Sequence, residues 1–125
     1  MSKNPVGWFE IYVDDMPRAK AFYEAVFQVG LNVLNSPIPG LEMYAFPSEM
    51  NSYGACGSLV KMDHVCAGGN STIVYFSCTD CAVEESRVAA AGGKVERSKC
   101  SLGEYGFMSL VVDTEGNMIG LHSMA

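Results

Sequence analysis

A strand that runs into a helix begun by aspartate occurs twice in the sequence, and this repeat most constrains the fold. The first strand candidate ends at Asp15 and the second at Asp80, an offset of 65 residues. Apolar residues at three- and four-residue spacing predict a helix over residues 16–28, and an alanine-rich run predicts another over 82–91. Because aspartate is a favoured N-cap, each half of the chain should begin with one strand and one capped helix.

Three further strand candidates follow each helix, and turn-forming residues separate them. They cover residues 31–34, 41–46 and 53–61 in the first half, and 94–99, 105–112 and 117–124 in the second. The turn signals lie at residues 37–40, which hold two prolines and a glycine, and at residues 113–117. Gly54 and Gly57 interrupt one strand, which predicts that another group approaches the backbone there.

The expected fold class is α+β: two tandem βαβββ modules form a curved, cavity-enclosing mixed sheet and carry their helices on its outer face. The length favours a single domain, because 125 residues with 49% hydrophobic content suffice for one compact core. We predict module one over about residues 5–61, a connector over about 62–70, and module two over about 71–125.

Strand alternation divides the first strand into two faces. One face is apolar and suits a covering helix; it carries Phe9, Ile11 and Val13. The opposite face is aromatic and holds a carboxylate; it carries Trp8, Glu10 and Tyr12. Alternation in the second half places three more residues on this side, namely Tyr75, Met118 and His122. We predict that this second side lines a ligand cavity with aromatic walls and few polar groups.

The composition excludes several partners. A net charge of -6 gives no basic surface for nucleic acid or for an anionic membrane. No apolar run approaches the roughly 18 residues of a membrane span. Residues 1–5 lack the apolar segment of a signal peptide, so a cytoplasmic location is expected. Glu84 and Glu85 are expected on the solvated face of the second helix.

The five cysteines are odd in number and scattered among apolar positions, so we expect reduced thiols rather than a disulfide framework. Cys78 and Cys81 form a CxxC pair at the start of the second helix, where the helix dipole could lower a thiol pKa. The two interpretations are redox chemistry and simple packing of small residues at a strand end. Further ligands at the spacing of a structural zinc site are missing.

The most specific motifs lie at the two ends of the chain. They are the strand ending Val13-Asp14-Asp15, the helical run from Met16 to Phe27, and the closing run of residues 113–122. Together they resemble the glyoxalase/bleomycin resistance/dioxygenase family, also called the vicinal oxygen chelate superfamily, and within it small bacterial glyoxalase-like proteins. The resemblance implies two βαβββ modules around a cavity, commonly assembled as a homodimer.

The resemblance also implies where a metal would be bound. Metal-dependent members place a histidine or glutamate at the position held here by Trp8, and a histidine at that of Ile73. They place carboxylates at positions that fall near Ala55 and at Gly120. None of these four residues is a metal ligand. We therefore expect no metal cofactor at the usual site, and neither glyoxalase I nor extradiol dioxygenase chemistry.

Two classes of function remain open. In the binding hypothesis, aromatic and methionine side chains hold a small organic or aromatic molecule in a metal-free cavity without turning it over. The substrate-binding candidates are Trp8, Tyr12, Tyr44, Tyr75 and Met118. In the enzyme hypothesis, Glu10 and His122 transfer a proton in a lyase- or isomerase-type reaction, with a divalent metal in a shifted site as a further alternative.

Overall fold

The computed structural model describes residues 4–35, 38–49 and 51–125. Pro37, part of one predicted turn, lies outside these ranges. In chain order the elements are β1 (Trp8–Tyr12), α1 (Met16–Phe27), β2 (Asn32–Leu34), β3 (Leu41–Ala45), β4 (Cys56–Met62), β5 (Tyr75–Ser77), α2 (Cys81–Val88), β6 (Lys94–Ser101), a 3-10 turn (Gly103–Tyr105), β7 (Phe107–Val112) and β8 (Met118–Ser123).

The strands form two four-stranded sheets, with strand orders β1-β4-β3-β2 and β5-β8-β7-β6. In each sheet the first strand pairs in parallel with the last strand, and the other neighbours are antiparallel. The predicted α+β class with two βαβββ modules is confirmed. Within the described residues no hydrogen-bonded ladder joins β1 to β5, so the two sheets meet at these edges through side chains, such as Phe9 and Phe76.

Both helices begin where the sequence predicts. The Asp15 carboxylate accepts a hydrogen bond from the backbone N–H of Arg18 at 3.1 Å, and Asp80 accepts one from Ala82 at 3.0 Å. Helix α1 ends at Phe27, one residue before the predicted end, and Gln28 takes the left-handed C-cap conformation with φ 56°. Among the described residues, neither helix has the length and apolar character needed to cross a membrane.

The apolar strand faces pack under the helices, as the alternation predicts. Ile11 of β1, Leu59 of β4, and Ile119 and Leu121 of β8 are buried in the core. Module one buries a stripe of α1 against them, consisting of Met16, Ala19, Phe22, Tyr23 and Val26. One core therefore serves both modules, since residues of both sheets belong to it.

The first strand of module two was expected to run from the start of the module, at about residue 71, to Asp80, but β5 covers only Tyr75–Ser77. This strand lies at a sheet edge and pairs on one side alone, with β8. Two flanking backbone bonds extend the contact slightly, from Gly120 N to Val74 O at 2.9 Å and from Cys78 N to His122 O at 2.7 Å.

A buried carboxylate in the β7–β8 turn fixes this turn against module one. The side chain of Glu115 is fully buried, and it accepts hydrogen bonds from the backbone N–H groups of Asp14 and Asp15 at 3.0 and 2.9 Å. Arg18 donates two more, through Nε at 2.6 Å and Nη2 at 2.8 Å. Burial alone would raise the pKa of Glu115, but these donors and the hydroxyl of Thr114 lower it to about 2.

Two further residues of the same turn reach across to module one. The hydroxyl of Tyr23 on α1 donates to Asp113 Oδ2 at 2.6 Å. Asn117 Nδ2 donates to the carbonyl of Tyr12 at 2.8 Å, and Asn117 Oδ1 accepts from Gly68 N at 2.7 Å. Residues 113–117 therefore hold β1, α1 and the connector together by polar contacts, in addition to the shared apolar core.

Candidate functional site

A groove of about 720 Å³ lies where β1 and β5 approach each other. Its walls come from both modules and from the long connection between β3 and β4. The lining residues are Val6, Trp8, Phe9, Phe27, Val29, Phe46, Pro47, Tyr53, Gly54, Ala55, Cys56, Gly57, Thr72, Ile73, Val74, Tyr75, Phe76, Ser77 and Glu84. The volume lies within the range of about 300–1,000 Å³ that is usual for small-molecule sites.

Four phenylalanines from separate segments form the floor of the groove. Phe27 at the end of α1 stacks on Phe76 of β5, with ring centroids 4.4 Å apart. Phe9 of β1 lies 5.9 Å from Phe76, and Phe46 lies 5.4 Å from it. Because these rings pack on one another and on the core, the floor is a preformed apolar surface. The sequence did not predict that helix-side phenylalanines would reach the groove.

Backbone approach at Gly57 brings Phe9 into this floor. The two residues are register partners on β1 and β4, and a Cβ atom at Gly57 would overlap the Phe9 ring. The prediction that some group approaches the backbone at this glycine is therefore confirmed. Gly54, by contrast, lies in the connection with φ 98° and has no neighbour within 4 Å of a Cβ position.

Trp8 and Tyr75 form the rim of the groove, and their side chains are 44% and 47% exposed. Trp8 is held by Glu10, whose Oε2 accepts a hydrogen bond from the indole Nε1 at 3.2 Å. The other oxygen of Glu10 accepts from the Tyr12 hydroxyl at 3.0 Å. Partial burial, followed by the hydrogen bond and charge of Glu10, raises the pKa of Tyr12, so its hydroxyl stays a donor at neutral pH.

The structure brings together only some of the predicted site residues. Trp8 and Tyr75 line the groove, while Glu10 and Tyr12 support Trp8 from beside it. Met118 and His122 lie on β8, one strand further from the edge, and are not among the lining residues. The groove thus takes residues from both faces of the sheets, rather than from the single face that alternation suggested.

Tyr44 lies apart from the other aromatic candidates. It pairs with Leu59, whose side chain belongs to the helix-covered core, so Tyr44 projects to that side as well. Its ring lies 5.6 Å from the ammonium nitrogen of Lys20 on α1. The prediction that Tyr44 binds a ligand together with Trp8 and Tyr12 is corrected accordingly, because those two residues lie on the opposite face of the sheet.

His122 and Glu10 each have their own partners. His122 Nε2 lies 2.7 Å from the carbonyl oxygen of Tyr105. Because a carbonyl can only accept, Nε2 must carry the proton in this contact, which leaves Nδ1 as the acceptor of the neutral ring. Both oxygens of Glu10 are engaged by Trp8 and Tyr12. No hydrogen bond between Glu10 and His122 occurs among the described residues.

The last-strand ligand position of module one requires a correction. The repeat places Glu10 on Tyr75, and the register partners of these two residues are Ser58 on β4 and Gly120 on β8. The counterpart of Gly120 is therefore Ser58, and not a position near Ala55. The Ser58 hydroxyl oxygen is buried without a hydrogen-bond partner. Because the β3–β4 connection is long, the sequence alone does not reveal that Ser58 pairs with Glu10.

The donor set does not fit the metal that the fold implies. The four relevant positions hold Trp8, Ser58, Ile73 and Gly120, which supply no carboxylate and no imidazole. A side chain at Gly120 would also overlap the ring of Tyr75, so this aromatic residue occupies the space of the missing carboxylate. Among the described residues, no group of three or more histidine, cysteine or acidic side chains could hold a metal ion.

The CxxC pair shows no feature of a redox site. Cys78 and Cys81 are free thiols in the structure. Burial, followed by the charge of Glu84, raises the pKa of Cys78 to about 12, so this thiol stays protonated at neutral pH. Reactive CxxC motifs instead depend on a lowered pKa. The geometry favours the alternative interpretation, in which both cysteines are packing residues.

Glu84 is the residue of the site that sequence reasoning missed. It was predicted on the solvated face of α2, but it is half-buried and lines the groove. The repeat could have predicted the burial of Glu84, because this residue corresponds to Ala19 of α1, which is fully buried. Helical spacing could have predicted this burial as well, since Glu84 shares a helix face with Cys81 and Val88, which are both buried.

The chain has the fold of solved glyoxalase and glyoxalase/bleomycin resistance proteins, the fold that the sequence motifs predicted. Neither a protein-family model nor a curated protein matches the chain. Solved structures do match it, and all those reported below fall under 25% sequence identity, so they establish the fold.

Three solved structures show the range of these similarities. TnmS3, described as an antibiotic binding protein from Streptomyces sp., is 24% identical with a TM-score of 0.66, and the match covers 100% of this chain and 99% of that one. A glyoxalase/bleomycin resistance protein from Albidiferax ferrireducens is 18% identical, with a TM-score of 0.70 and coverage of 96% and 98%. Glyoxalase I from Zea mays is 18% identical with a TM-score of 0.74, and this chain spans only 46% of its length.

Proposed function

We propose that this glyoxalase-like chain binds a small organic molecule in the groove between β1 and β5, without a metal at the usual ligand positions. The observation that carries the proposal is the aromatic groove itself, with its floor of packed phenylalanine rings and its rim of Trp8 and Tyr75. Flat or aromatic ligands gain both area burial and ring contacts on such a surface. The antibiotic binding protein TnmS3, which shares the fold, is consistent with this role.

Proton-transfer chemistry by Glu10 and His122 gains no support from a specific contact. Glu10 is occupied by Trp8 and Tyr12, and His122 is bonded to a backbone carbonyl. We assign Glu10 the role of a positioning residue, because its carboxylate orients the indole of Trp8 at the rim. We also infer that the chain forms a homodimer, as the family resemblance implies; light scattering should give twice the 13.5 kDa of one chain.

The binding proposal is tested with 2-naphthylmethanol, a neutral aromatic probe. Trp8 is the only tryptophan, so its indole N–H gives a single NMR signal at the rim of the groove. Titration should shift this signal and indicate a dissociation constant of about 1 mM or tighter. Ser77→Leu should weaken binding at least about threefold, because it fills part of the groove.

The matched control for this experiment is Tyr105→Ala. It removes an exposed aromatic side chain that does not line the groove, so probe affinity should stay unchanged. The proposal fails if the probe shifts signals elsewhere but not those of the groove, or if Ser77→Leu and Tyr105→Ala weaken binding equally.

A further inference from the structure

One carboxylate in the wall of the groove takes part in no ion pair among the described residues. Glu84 lies in the first turn of α2, and its Oε1 atom is buried without a hydrogen bond from any described residue. Its neighbour Glu85 provides the contrast, because that carboxylate accepts a hydrogen bond from the backbone N–H of Lys99 at 2.6 Å. Burial of a carboxylate oxygen without a donor is costly, and because Glu84 also lines the groove, a bound molecule that donated to this carboxylate would offset part of that cost.

The groove supplies no cation to balance this charge. Among the described residues that line it, none is a lysine, arginine or histidine. Glu84 does have a neutral neighbour, the thiol of Cys78, whose pKa is raised by burial and then by the charge and hydrogen bond of this carboxylate. A neutral thiol is only a weak hydrogen-bond donor, and it carries no positive charge. No lining residue supplies a positive charge to Glu84, so a cation bound in the groove would complement it.

The remaining walls favour the same kind of ligand. Phenylalanine, tyrosine and tryptophan rings attract cations through their negative faces, and several of these rings line the same groove as Glu84. The whole chain carries a net charge of -6, which raises the local concentration of small cations and opposes the entry of anions. The aromatic rings, the carboxylate that forms no described ion pair and the overall charge therefore all favour a cationic ligand.

We propose that the groove selects organic cations, namely molecules that join an aromatic or apolar body to a protonated amine whose N–H group donates to Glu84. The inference rests on the proposed binding function and adds the charge and chemical class of the ligand. The phenylalanine floor holds the apolar body, and Glu84 fixes the orientation of the amine.

The test compares two probes of matched shape, 2-naphthylmethylammonium and the neutral 2-naphthylmethanol, each titrated into the full chain at neutral pH. The indole signal of Trp8 and the backbone amide signals report binding. The wild-type protein should bind the ammonium probe at least about tenfold more tightly, because a charge-assisted hydrogen bond in a desolvated groove is worth at least this factor.

Two variants assign the preference to one carboxylate. Glu84→Gln keeps the shape and removes the charge, and it should reduce the preference for the ammonium probe to less than about twofold. Glu85→Gln removes the same charge from the next helix position and keeps an acceptor for Lys99, so the preference should remain. The affinity for the neutral probe should be the same in all three proteins.

The possible results of these titrations separate the inference about charge from the binding function. Equal affinity of the two probes for the wild-type protein would overturn the inference and leave the binding function intact. A preference that survives in Glu84→Gln, or that Glu85→Gln abolishes equally, would also overturn it. Failure of both probes to bind would overturn the binding function, and the inference with it. The wild-type comparison needs no substitution, so a variant that failed to fold would not rescue the proposal.

Discussion

The two modules share their order of elements but differ most in the connection between their last two strands. In module two, residues 113–117 form a tight turn in which Asp113, Glu115 and Asn117 are buried. In module one, the corresponding connection covers residues 46–55, and its described part is largely exposed. The turn of module two binds the modules together, whereas the connection of module one lines the groove.

The difference shows how a repeated unit can divide structural and functional roles. A short turn with three buried polar side chains satisfies the N–H groups at the start of α1, which the apolar core cannot do. A longer connection places Pro47, Tyr53 and Gly54 at the groove, where a ligand would lie. Substitutions in the turn should therefore affect stability, and substitutions near the groove should affect binding.

The largest expected effect comes from Glu115→Ala. It leaves the backbone N–H groups of Asp14 and Asp15 without their buried acceptor and removes both bonds from Arg18. The free energy of unfolding should fall by roughly 3–4 kcal/mol, as measured by urea denaturation.

The control lies in the corresponding connection of module one. Glu49→Ala removes an exposed carboxylate whose one side-chain hydrogen bond, from Ser52, is 3.5 Å long. It should change the free energy of unfolding by less than about 0.5 kcal/mol. Similar losses for Glu115→Ala and Glu49→Ala would contradict the division of roles between the two connections.

The pH dependence of the free energy of unfolding should also reveal the contribution of Glu115. The pKa of Glu115 is about 2 in the folded chain against an ordinary 4.5, since the donors around it outweigh the effect of burial. A lowered folded-state pKa stabilises the fold above pH 4.5, and this contribution is lost as the pH falls from about 4.5 to about 2. Its full size is roughly 3 kcal/mol, at about 1.4 kcal/mol for each unit.

The measurement compares the wild-type protein with Glu115→Gln by urea denaturation from pH 6 down to pH 2. Glutamine does not titrate, so the stability difference between the two proteins should shrink as the pH falls. Glu24 and Asp80 also have lowered pKa values, but they titrate in both proteins and cancel in the difference. A difference that stays constant over this range would show that Glu115 contributes packing rather than charge.

Local patterns predicted much of the fold. The positions of Asp15 and Asp80 gave both N-caps, and alternation in β1 identified Ile11 as a core residue. These features depend on neighbours within one turn or one strand, which is why the sequence alone reveals them. The two-module architecture then followed from the repeated order of elements.

The candidate site was less predictable because it depends on contacts between distant residues. Glu115 was read only as part of a turn, since its four backbone and arginine donors lie about a hundred positions earlier in the chain. The last-strand ligand position of module one was predicted near Ala55 and not at Ser58, because the register of β4 cannot be read from the sequence after a long connection. Glu84 could have been found, because the repeat aligns it with the buried Ala19.

A smaller loss of stability is expected when alanine replaces either of two glycines that lie against aromatic rings, and the loss should differ between them. Gly57→Ala forces the Phe9 ring out of the packed floor of the groove, and overpacking of this kind costs about 1–3 kcal/mol. Gly120→Ala meets Tyr75, which is 47% exposed and free to move outward, so the cost should be under about 1 kcal/mol. Thermal unfolding measures both. Equal costs would show that the floor of module one is no more rigid than the rim of module two.

The smallest expected effect concerns the thiol beside the groove. Module two has Cys78 and Glu84 where module one has the fully buried Val13 and Ala19, so an apolar pair is replaced by a thiol and a carboxylate. Burial is the main cause of the raised pKa of Cys78, and the Glu84 charge is the second. Glu84→Gln should therefore lower this pKa from about 12, yet leave it above the ordinary 9.0.

Iodoacetamide alkylation of Cys78 as a function of pH, resolved by mass spectrometry, measures this shift, with Glu85→Gln as the control. No shift in Glu84→Gln would mean that the carboxylate does not reach the thiol, and the charge at the groove wall would need another position. A fall to 9.0 would mean that the charge, and not burial, governs the thiol. An intermediate value supports a wall in which the Glu84 carboxylate lies beside a neutral thiol that does not balance its charge, so that this charge stays available to a bound amine.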